Sequence, residues 1–333
     1  MASKKEVAIG VVGLGQWGTA LAYYCSSLEY QVLGWDRDKN IIKGINSDGR
    51  NPKCFSQTKL PSSVKAVSSL EDVFQCNYVI LTVASSGLPE VLSKANPSFA
   101  GVIISGIKGL TPALKTPLES VREKFRERVK AAVISGPSFA KDVIAGNPCG
   151  LVAASRDKKV SEEVADVLAS DRMRLYISSD EVGVEYGGIF KNVIALAAGI
   201  SDGLNMGDSA RAGVITRGLA EIQRLAVALG AKSDTLFGLS GLGDLVMTAS
   251  CDTSRNRTVG LRLGRGEKLE DILASLGSTA EGVRTAHIAL KLGERKGIEL
   301  PITKAVVDIL DKKITPKEAV NLLISRPVKE EFE

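Results

Sequence analysis

Short aliphatic runs alternate with polar stretches of helical spacing over residues 7–177. The candidate strands are the runs 7–12, 30–35, 77–83, 101–105, 131–135, 150–155 and 174–178. Between several of them lie candidate helices, over 19–28, 86–94 and 161–169. A strand that is apolar throughout has both faces covered, as happens in a parallel sheet with helices on each side. This part of the chain is therefore predicted to be an α/β fold with a doubly wound parallel sheet.

From about residue 180 onward the strand pattern fades and aliphatic residues recur at helical spacing. The segments with this spacing are 181–199, 209–229, 280–296 and 301–312. Gly230 and Gly297 follow their segments, as glycines that end helices do. Pro301 and Pro316 stand where helices begin. We therefore predict an all-helical second domain.

The length and composition fit two ordinary folded domains, which we place at 1–180 and 181–333. The chain has 333 residues, and roughly 150 residues per domain is usual. Hydrophobic residues make up 44% and charged residues 24%, which excludes a disordered or collagen-like chain. A net charge of +5 is too small to indicate a nucleic-acid partner but suits small anionic substrates. No apolar run reaches the ~18 residues of a membrane span.

Cysteine and histidine usage argues against metal centres and disulfides. The cysteines are odd in number and form no CxxC pair, so we expect neither a disulfide framework nor a zinc site. They are Cys25, Cys54, Cys76, Cys149 and Cys251. The single histidine, His287, lies in a helical pattern and excludes a multi-histidine metal site. We expect no metal and a reducing compartment such as the cytoplasm.

A glycine-rich turn, GLGQWG, directly follows the first candidate strand and precedes a helical segment. Gly13 permits the tight turn, Gly15 lets a pyrophosphate approach the backbone, and Gly18 lets helix and strand pack closely. The N-terminus of the following helix offers free N–H groups to the anion. Asp36 ends the second strand, where an acid that binds the adenosine ribose belongs. The segment predicts a Rossmann-type dinucleotide site whose turn contacts are Gly13, Gly15, Gln16, Trp17 and Gly18.

The residues after the second and third strands bear on which cofactor binds. Asp36 accepts hydrogen bonds from the ribose hydroxyls and repels a 2′-phosphate, which favours NAD. The neighbouring Arg37 could attract a 2′-phosphate, so NADP stays an alternative. Ser85 follows a strand where the chain passes the middle of the cofactor. A simple helix N-cap is an equally good interpretation of Ser85.

Two further loops place polar groups beyond strand ends. Lys108 lies in SGIKGL after the fourth candidate strand, at the sheet edge where ligands bind. An ordinary exposed lysine is the alternative. Gly136 and Pro137 form a turn after the next strand and aim Ser138 at the same edge.

Lys191 stands in the helical segment YGGIFKNVIALAAG, which has almost no other charge. Burial of an ammonium group favours its neutral form and so lowers the pKa of a lysine. A lowered pKa suits a lysine for general acid–base catalysis. Gly187 and Gly188 lie on the same helical side and are expected to leave space for a substrate. The alternative is a lysine whose amine reaches the surface.

A glycine-rich stretch over residues 238–257 gathers several polar groups. Asp244, in a segment expected to be loop-like, could hold Lys191. Arg255 and Asn256 offer a planar donor fork and an amide, which suit a phosphate. A solvated basic turn is the alternative. Glu281 is either a carboxylate at a helix start or a cofactor contact.

These motifs together resemble the NAD(P)-dependent glycerol-3-phosphate dehydrogenases, in their bacterial and plastid branch. The motifs that carry the resemblance occur in the family's order: GLGQWG, SGIKGL, ISGPSFAKD, GGIFKNVIALAAGISDG, TRGLAE, GLGDLVMT, SRNR and TAEGVRTAHIA. The resemblance implies interconversion of sn-glycerol 3-phosphate and dihydroxyacetone phosphate with NAD or NADP, which supplies phospholipid synthesis. It also implies a helical second domain like that of 6-phosphogluconate dehydrogenase and a cytoplasmic or plastid-stromal location. The oligomeric state stays open, with a homodimer as one alternative.

The resemblance also implies roles for individual residues. Lys191 matches the family's proton donor and acceptor, which Asp244 orients, while Lys108 contacts both substrate and cofactor. The implied substrate contacts are Lys108, Gly136, Ser138, Lys191, Asn192, Asp244, Thr248, Ser254, Arg255 and Asn256. The implied cofactor contacts beyond the glycine turn are Asp36, Arg37, Ser85, Lys108, Ala140, Arg255, Thr279 and Glu281.

One departure concerns the cofactor: the chain reads LGWDR after its second strand, where the family has LWxR or LWGH, so an NADP preference is not implied. Two other functions stay open. The first is a related dehydrogenase acting on a hydroxy acid or sugar acid. The second is a dinucleotide sensor without catalysis, although a lone lysine on an apolar helix argues against it.

Overall fold

The structure is a computed structural model that describes residues 7–276, 280–328 and 330–331. Its contacts divide the chain into two compact units, Met1–Glu181 and Val182–Glu333.

The described part of the first unit is an eight-stranded sheet with helices. The strands are β1 (Ala8–Val12), β2 (Gln31–Trp35), β3 (Val64–Val67), β4 (Tyr78–Leu81), β5 (Val102–Ser105), β6 (Lys130–Ser135), β7 (Cys149–Ala154) and β8 (Met173–Ser178). The helices are α1 (Gln16–Ser27), α2 (Lys39–Asp48), α3 (Leu70–Val73), α4 (Leu88–Lys94), α5 (Pro117–Phe125), α6 (Ala140–Ala145) and α7 (Lys158–Leu168).

The sheet order is β3-β2-β1-β4-β5-β6-β7-β8, which confirms the doubly wound α/β prediction. All neighbouring strands are parallel except β6 and β7, which are antiparallel, so the prediction of a fully parallel sheet was wrong at this point. The connection between them carries only the six-residue α6, which packs on α1 instead of crossing the sheet. Antiparallel neighbours need no crossover helix.

Strand β3 was missed in the sequence because its side chains alternate between buried and exposed positions. It lies at the edge of the sheet, where only one face is covered, and so lacks the continuous apolar run of the inner strands.

The strand register brings the predicted ligand loops to one edge. Val12 pairs with Trp35 and with Leu81, which are the last residues of their strands. Leu81 in turn pairs with Ser105. The residues that follow β1, β2, β4 and β5 therefore leave the sheet at the same carboxyl-terminal edge, where open α/β sheets bind ligands.

The described part of the second unit is helical, as predicted. Its helices are α8 (Glu181–Gly203, which begins at the last residue of the first unit), α9 (Asp208–Ala228), α10 (Ser233–Leu236), α11 (Asp244–Ser250), α12 (Arg255–Gly264), α13 (Leu269–Leu276), α14 (Glu281–Lys296), α15 (Pro301–Leu310) and α16 (Pro316–Ile324). Gly230 and Gly297 follow α9 and α14 with positive φ angles of 103° and 67°. Helix α8 is buried along most of its length, which explains why its sequence is apolar on nearly every side.

Candidate functional site

The glycine turn after β1 has the geometry of a dinucleotide-binding loop. Gly13 has a φ of 96°, which a residue with a side chain rarely adopts. A Cβ at Gly18 would lie 1.8 Å from the carbonyl oxygen of Gly13, so helix α1 packs on the turn only because this residue is glycine. By contrast, no atom lies within 4 Å of the position that a Cβ at Gly15 would take. The turn at Gly13 and the close packing at Gly18 are thus as the motif predicts. The space beside Gly15 fits a pyrophosphate, and its role in binding one stays a prediction.

The N-terminus of α1 is suited to a pyrophosphate. No side chain caps it, and its first turn contains no acidic residue. Helices α2 and α7, in the same unit, are each capped by an aspartate. The indole N–H of Trp17 is buried and has no hydrogen-bond acceptor within the described residues. Unsatisfied N–H groups at a helix N-terminus favour an anion, so the residues present fit a dinucleotide.

Asp36 links the end of β2 to the glycine turn. One of its carboxylate oxygens accepts the N–H of Leu14 at 2.7 Å, and the other accepts the N–H of Asp38 at 2.9 Å. Each oxygen keeps a further lone pair for a ribose hydroxyl. Arg37 is exposed beside it. Asp36 therefore has a structural role in the turn that the sequence did not predict.

The loops after β5 and β6 meet at one carbonyl group. Lys108 Nζ donates to the carbonyl oxygen of Gly136 at 3.3 Å, and Ser138 Oγ donates to the same oxygen at 3.1 Å. Gly136 has a φ of 147°, and a Cβ there would lie 2.6 Å from the carbonyl oxygen of Gly150. The structure thus brings together three residues that the sequence placed at this sheet edge. Ala140 is the first residue of α6.

Ser85 is buried in a short 3₁₀ turn after β4. The alternative that it caps the next helix is wrong, because α4 begins after Gly87 and has no side-chain cap.

Substitutions in the glycine turn should separate cofactor binding from folding. Gly15→Ala adds a methyl group in open space, so we expect an unchanged melting temperature and an NADH affinity about 10- to 100-fold lower, since the pyrophosphate loses close backbone contacts. Gly18→Ala, the matched control, should lower the melting temperature. NADH fluorescence titration and thermal melts measure both. Unchanged NADH affinity in Gly15→Ala would contradict the assignment.

In the second unit, Lys191 lies in a buried polar cluster. Its ammonium group forms an ion pair with Asp244 and donates to Thr248 Oγ1 at 2.8 Å. Thr248 in turn donates its hydroxyl to the carbonyl oxygen of Asp244 at 2.6 Å. Lys191 is 5% exposed and Asp244 is fully buried. The alternative of a lysine reaching the surface is therefore wrong, and the predicted contact between Lys191 and Asp244 is confirmed.

Two expectations about the surroundings of Lys191 were wrong. A Cβ at Gly187 would lie 2.7 Å from the carbonyl oxygen of Ser240, so backbone, and not substrate, fills the space beside this glycine. This close approach lets the 239–243 turn deliver Asp244 to Lys191. Asp244 itself does not lie in a loop, because a single π-helical turn, Leu239–Gly243, leads directly into α11.

A second group of contacts surrounds Asn192, the neighbour of Lys191 on α8. Asn256 Nδ2 donates to Asn192 Oδ1 at 2.9 Å, and Asn256 Oδ1 accepts the N–H of Gly282 at 3.0 Å. Ser254 caps α12 by accepting the N–H of Arg257 at 3.2 Å. The cluster therefore joins α8, α12 and the start of α14.

The remaining predicted residues of this unit have different outcomes. Arg255 is the exposed first residue of α12, so it presents its charge at that helix start. Glu281 is the first residue of α14 and is partly buried. Thr279 lies outside the described residues.

His287 and one cavity involve none of the predicted site residues. His287 bonds the carbonyl oxygen of Val283 and the carboxylate of Asp311, which agrees with a structural role. Within the described residues, no cluster of histidine, cysteine and carboxylate side chains has the arrangement of a metal site. A cavity of about 810 Å³ between α8, α9, α15 and α16 is lined by none of the predicted site residues. None of the described helices has the length and apolarity needed to cross a membrane.

Family models match nearly the whole chain. The N-terminal model of the NAD-dependent glycerol-3-phosphate dehydrogenases covers residues 8–161, and the C-terminal model covers residues 180–321. The chain belongs to this family. A glycerol-3-phosphate dehydrogenase (NAD(P)+) of Nitrosospira multiformis is 43% identical over 330 residues, which are 97% of this chain and 99% of the relative. The namesake from Nitratidesulfovibrio vulgaris is 42% identical over 328 residues, with 97% and 99% covered.

Solved structures agree with this membership of the glycerol-3-phosphate dehydrogenase family. The crystal structure of glycerol-3-phosphate dehydrogenase from Coxiella burnetii matches with a TM-score of 0.92 and 34% identity, over 97% of this chain and all of that one. A D-mandelate dehydrogenase with NADH matches with a TM-score of 0.61 and 13% identity, over 93% and 99% of the two chains. The second likeness shows only that the fold is shared.

Proposed function

We propose that this chain reduces dihydroxyacetone phosphate to sn-glycerol 3-phosphate, and catalyses the reverse oxidation, with Lys191 as the proton donor and acceptor. The observation that carries the proposal is the buried ion pair of Lys191 with Asp244, in a chain of this family. A buried charge pair is costly to place, and a lysine held beside a carboxylate and a hydroxyl is the arrangement of a general acid.

The cofactor would be held by the first unit, through the Gly13–Gly18 turn, the N-terminus of α1 and Asp36. When bound, a nicotinamide cofactor supplies the hydride that C2 of the substrate accepts. Lys108, through its bond to the Gly136 carbonyl, keeps a positive charge at the carboxyl edge of the sheet. That charge favours a phosphorylated substrate.

Lys191 gives its proton to the oxygen on C2 as negative charge develops there. Asp244 favours the ammonium form by its charge, and Thr248 fixes the direction of the Nζ group because its Oγ1 accepts a hydrogen bond from it. In the reverse reaction the neutral amine takes the proton back from the C2 hydroxyl. The low exposure of the cluster excludes water, which strengthens these interactions.

Arg255 and Asn256 are proposed to bind the substrate phosphate. They are the first two residues of α12, where the free N–H groups of the helix add to the guanidinium and amide donors. Phosphate binding at a fixed position orients the reacting carbonyl relative to Lys191.

Asp36 should set the cofactor preference. We expect the wild-type chain to use NADH at least as well as NADPH, with Arg37 allowing some use of NADPH. Asp36→Ala should raise the ratio of NADPH to NADH kcat/KM about tenfold, since it removes a charge that repels the 2′-phosphate. It should also lower NADH affinity, because the Leu14 N–H loses its acceptor. A wild-type preference for NADPH of about 100-fold or more would contradict the role of Asp36.

A substrate panel tests the reaction itself. We expect NADH oxidation with dihydroxyacetone phosphate and little with 2-oxo acids or with dihydroxyacetone, which lacks the phosphate. Faster turnover of a 2-oxo acid would indicate a hydroxy-acid dehydrogenase instead. D-mandelate dehydrogenase has the same fold as this chain. NADH binding without oxidation of any of these ketones would indicate a sensor.

We further propose a cytoplasmic or plastid-stromal enzyme that supplies glycerol 3-phosphate for phospholipid synthesis. All five cysteines are free thiols, and burial raises the pKa of Cys25 to about 12 and that of Cys76 to about 11. Five free thiols suit a reducing compartment. Fractionation of cells that express the tagged chain tests the location.

We propose a homodimer without a nucleic-acid partner. Leu322 and Ile324 on α16 are exposed apolar side chains, and a second copy would cover them. Light scattering of the purified protein measures its mass, and a monomer would contradict the dimer.

A further inference from the structure

Helices α8 and α12 are in direct backbone contact through glycines on both helices. A Cβ at Gly199 of α8 would lie 2.1 Å from the carbonyl oxygen of Arg257. A Cβ at Gly260 of α12 would lie 2.1 Å from the carbonyl oxygen of Leu196. Gly203 and Gly264 continue the contact, with corresponding distances of 2.3 and 2.4 Å to carbonyl oxygens of the opposite helix. Such packing leaves no space for one helix to slide on the other.

A buried ion pair crosses the same contact at the N-terminal end of α12. Arg257 donates from Nε and Nη2 to Asp202 Oδ2, on the last turn of α8, at 3.0 and 2.6 Å. Its Nη1 donates to Asp252, just before α12, at 2.5 Å. Arg211 of α9 donates to the other oxygen of Asp202 at 3.0 Å. Arg257 is 8% exposed and the side chain of Asp202 is 9% exposed, so water screens the bond between them little. The side chain of Asp252 is 96% exposed, so its bond to Arg257 lies at the surface and is screened.

The position of Arg257 couples this ion pair to the proposed phosphate site. Arg257 directly follows Arg255 and Asn256, and its backbone N–H is the group that the N-cap Ser254 binds. On α8, Asp202 comes eleven residues after Lys191. Eleven residues are about three turns at 3.6 residues per turn, so Asp202 and Lys191 lie on the same side of α8. One rigid helix therefore carries both the proton donor and the anchor of the phosphate-binding helix.

We infer that Arg257 and Asp202 are positioning residues, which fix the start of α12 against α8 and thereby set the position of the substrate phosphate relative to Lys191. The inference rests on the proposed function, since it assigns the phosphate to Arg255 and Asn256. Neither residue contacts substrate in this account, and both act through the placement of α12. The fixed separation selects substrates whose phosphate lies at one distance from the reacting carbonyl.

Arg257→Met tests the inference through substrate binding as well as turnover. It keeps an unbranched apolar stem but removes the bonds to Asp202 and Asp252. We expect KM for dihydroxyacetone phosphate to rise about 10- to 100-fold, with a smaller fall in kcat, because a displaced α12 weakens phosphate binding in the ground state and in the transition state. Calorimetric binding of sn-glycerol 3-phosphate should weaken by a similar factor. NADH affinity should change less, because of the implied cofactor contacts only Arg255 lies on α12. Arg257→Lys should fall between wild type and Arg257→Met, because it keeps the charge without the planar fork.

Asp202→Asn and its combination with Arg257→Met show whether the two residues act as a pair. We expect the double variant to have nearly the KM of the worse single variant, since residues that act through one bond are not additive. Arg211→Met is the matched control. It removes a guanidinium from the same aspartate, but the described partners of Arg211 are Asp202 and Asp208 and none lies on α12, so KM should change less than about threefold.

The outcomes separate this inference from the proposed function. If wild type binds sn-glycerol 3-phosphate and Arg257→Met binds it equally well, the positioning role is wrong, even if the variant is less stable to heat. If folded wild type neither binds sn-glycerol 3-phosphate nor reduces dihydroxyacetone phosphate, the proposed function fails, and the inference fails with it. If Arg257→Met does not fold, Arg257→Lys and Asp202→Asn decide the matter: an unchanged KM in both would overturn the inference.

Discussion

Lys191→Met should lower kcat for dihydroxyacetone phosphate by about 10²–10⁴-fold, the usual effect of losing a general acid. Methionine keeps the length and apolar character of the lysine stem but has no proton to give. NADH affinity should not change, because the proposed cofactor contacts, namely the glycine turn, the N-terminus of α1 and Asp36, belong to the first unit and Lys191 belongs to the second. Absorbance at the NADH band gives kcat, and NADH fluorescence on the same preparation gives the affinity.

Two lysine controls accompany this variant. Lys304→Met removes an exposed lysine whose partner is Asp308 on the same helix, and it should leave kcat unchanged. Lys191→Arg keeps a positive charge but cannot release its proton, so it should remain as inactive as Lys191→Met. A Lys191→Arg variant with near wild-type kcat would show that the charge, and not the proton, is what the reaction needs.

Asp244→Asn should have the largest effect on stability, lowering the free energy of unfolding by about 3–5 kcal/mol, because it leaves the Lys191 ammonium buried without its carboxylate. Denaturant unfolding monitored by circular dichroism measures this loss. The double variant Lys191→Met/Asp244→Asn should be more stable than Asp244→Asn alone, since it leaves no unpaired charge in the Lys191 cluster. Asp208→Asn, at an exposed aspartate, should change stability little. A double variant no more stable than Asp244→Asn would contradict the cost assigned to the unpaired ammonium.

Sequence predicts well those helices and strands whose type follows from the spacing of apolar residues along the chain. Inner strands such as β4 and β5 are apolar on both faces and short, so their type follows directly from the residues. The reversed direction of β7 was not predictable in this way, because an apolar strand has the same sequence pattern whichever way it runs. Its direction depends on α6 packing against α1, a contact between segments distant in sequence.

The candidate site shows the same division. Lys191 is conspicuous in the sequence because it interrupts an apolar helix, and the glycine turn because three glycines occur at a fixed spacing. Asp202 and Arg257 were missed as a pair, since an aspartate near a helix end and an arginine near a helix start are both common on solvated surfaces. Their bond joins residues 55 positions apart. The one available signal was a second arginine after Arg255 and Asn256, which a phosphate clamp does not need.

Sequence also does not show what packs against a glycine. Gly187 was expected to make room for a substrate, yet it makes room for the backbone that carries Asp244. A glycine in a sequence indicates that something approaches closely, but only the structure shows whether that is a ligand or the chain itself.

Transfer of isotope from labelled NADH tests whether the chain moves a hydride to C2 of dihydroxyacetone phosphate with Lys191 as the proton donor. NADH that carries deuterium at both C4 positions is incubated with dihydroxyacetone phosphate in ordinary water, and the product is analysed by NMR. For wild type we predict sn-glycerol 3-phosphate with one deuterium on C2, the carbon that accepts the hydride. The Lys191→Met protein, with NADH shown to bind, should form this product at less than about a hundredth of the wild-type rate. Product without deuterium at C2 would rule out hydride transfer to that carbon. Formation of the product by Lys191→Met at more than about a tenth of the wild-type rate would rule out Lys191 as the proton donor.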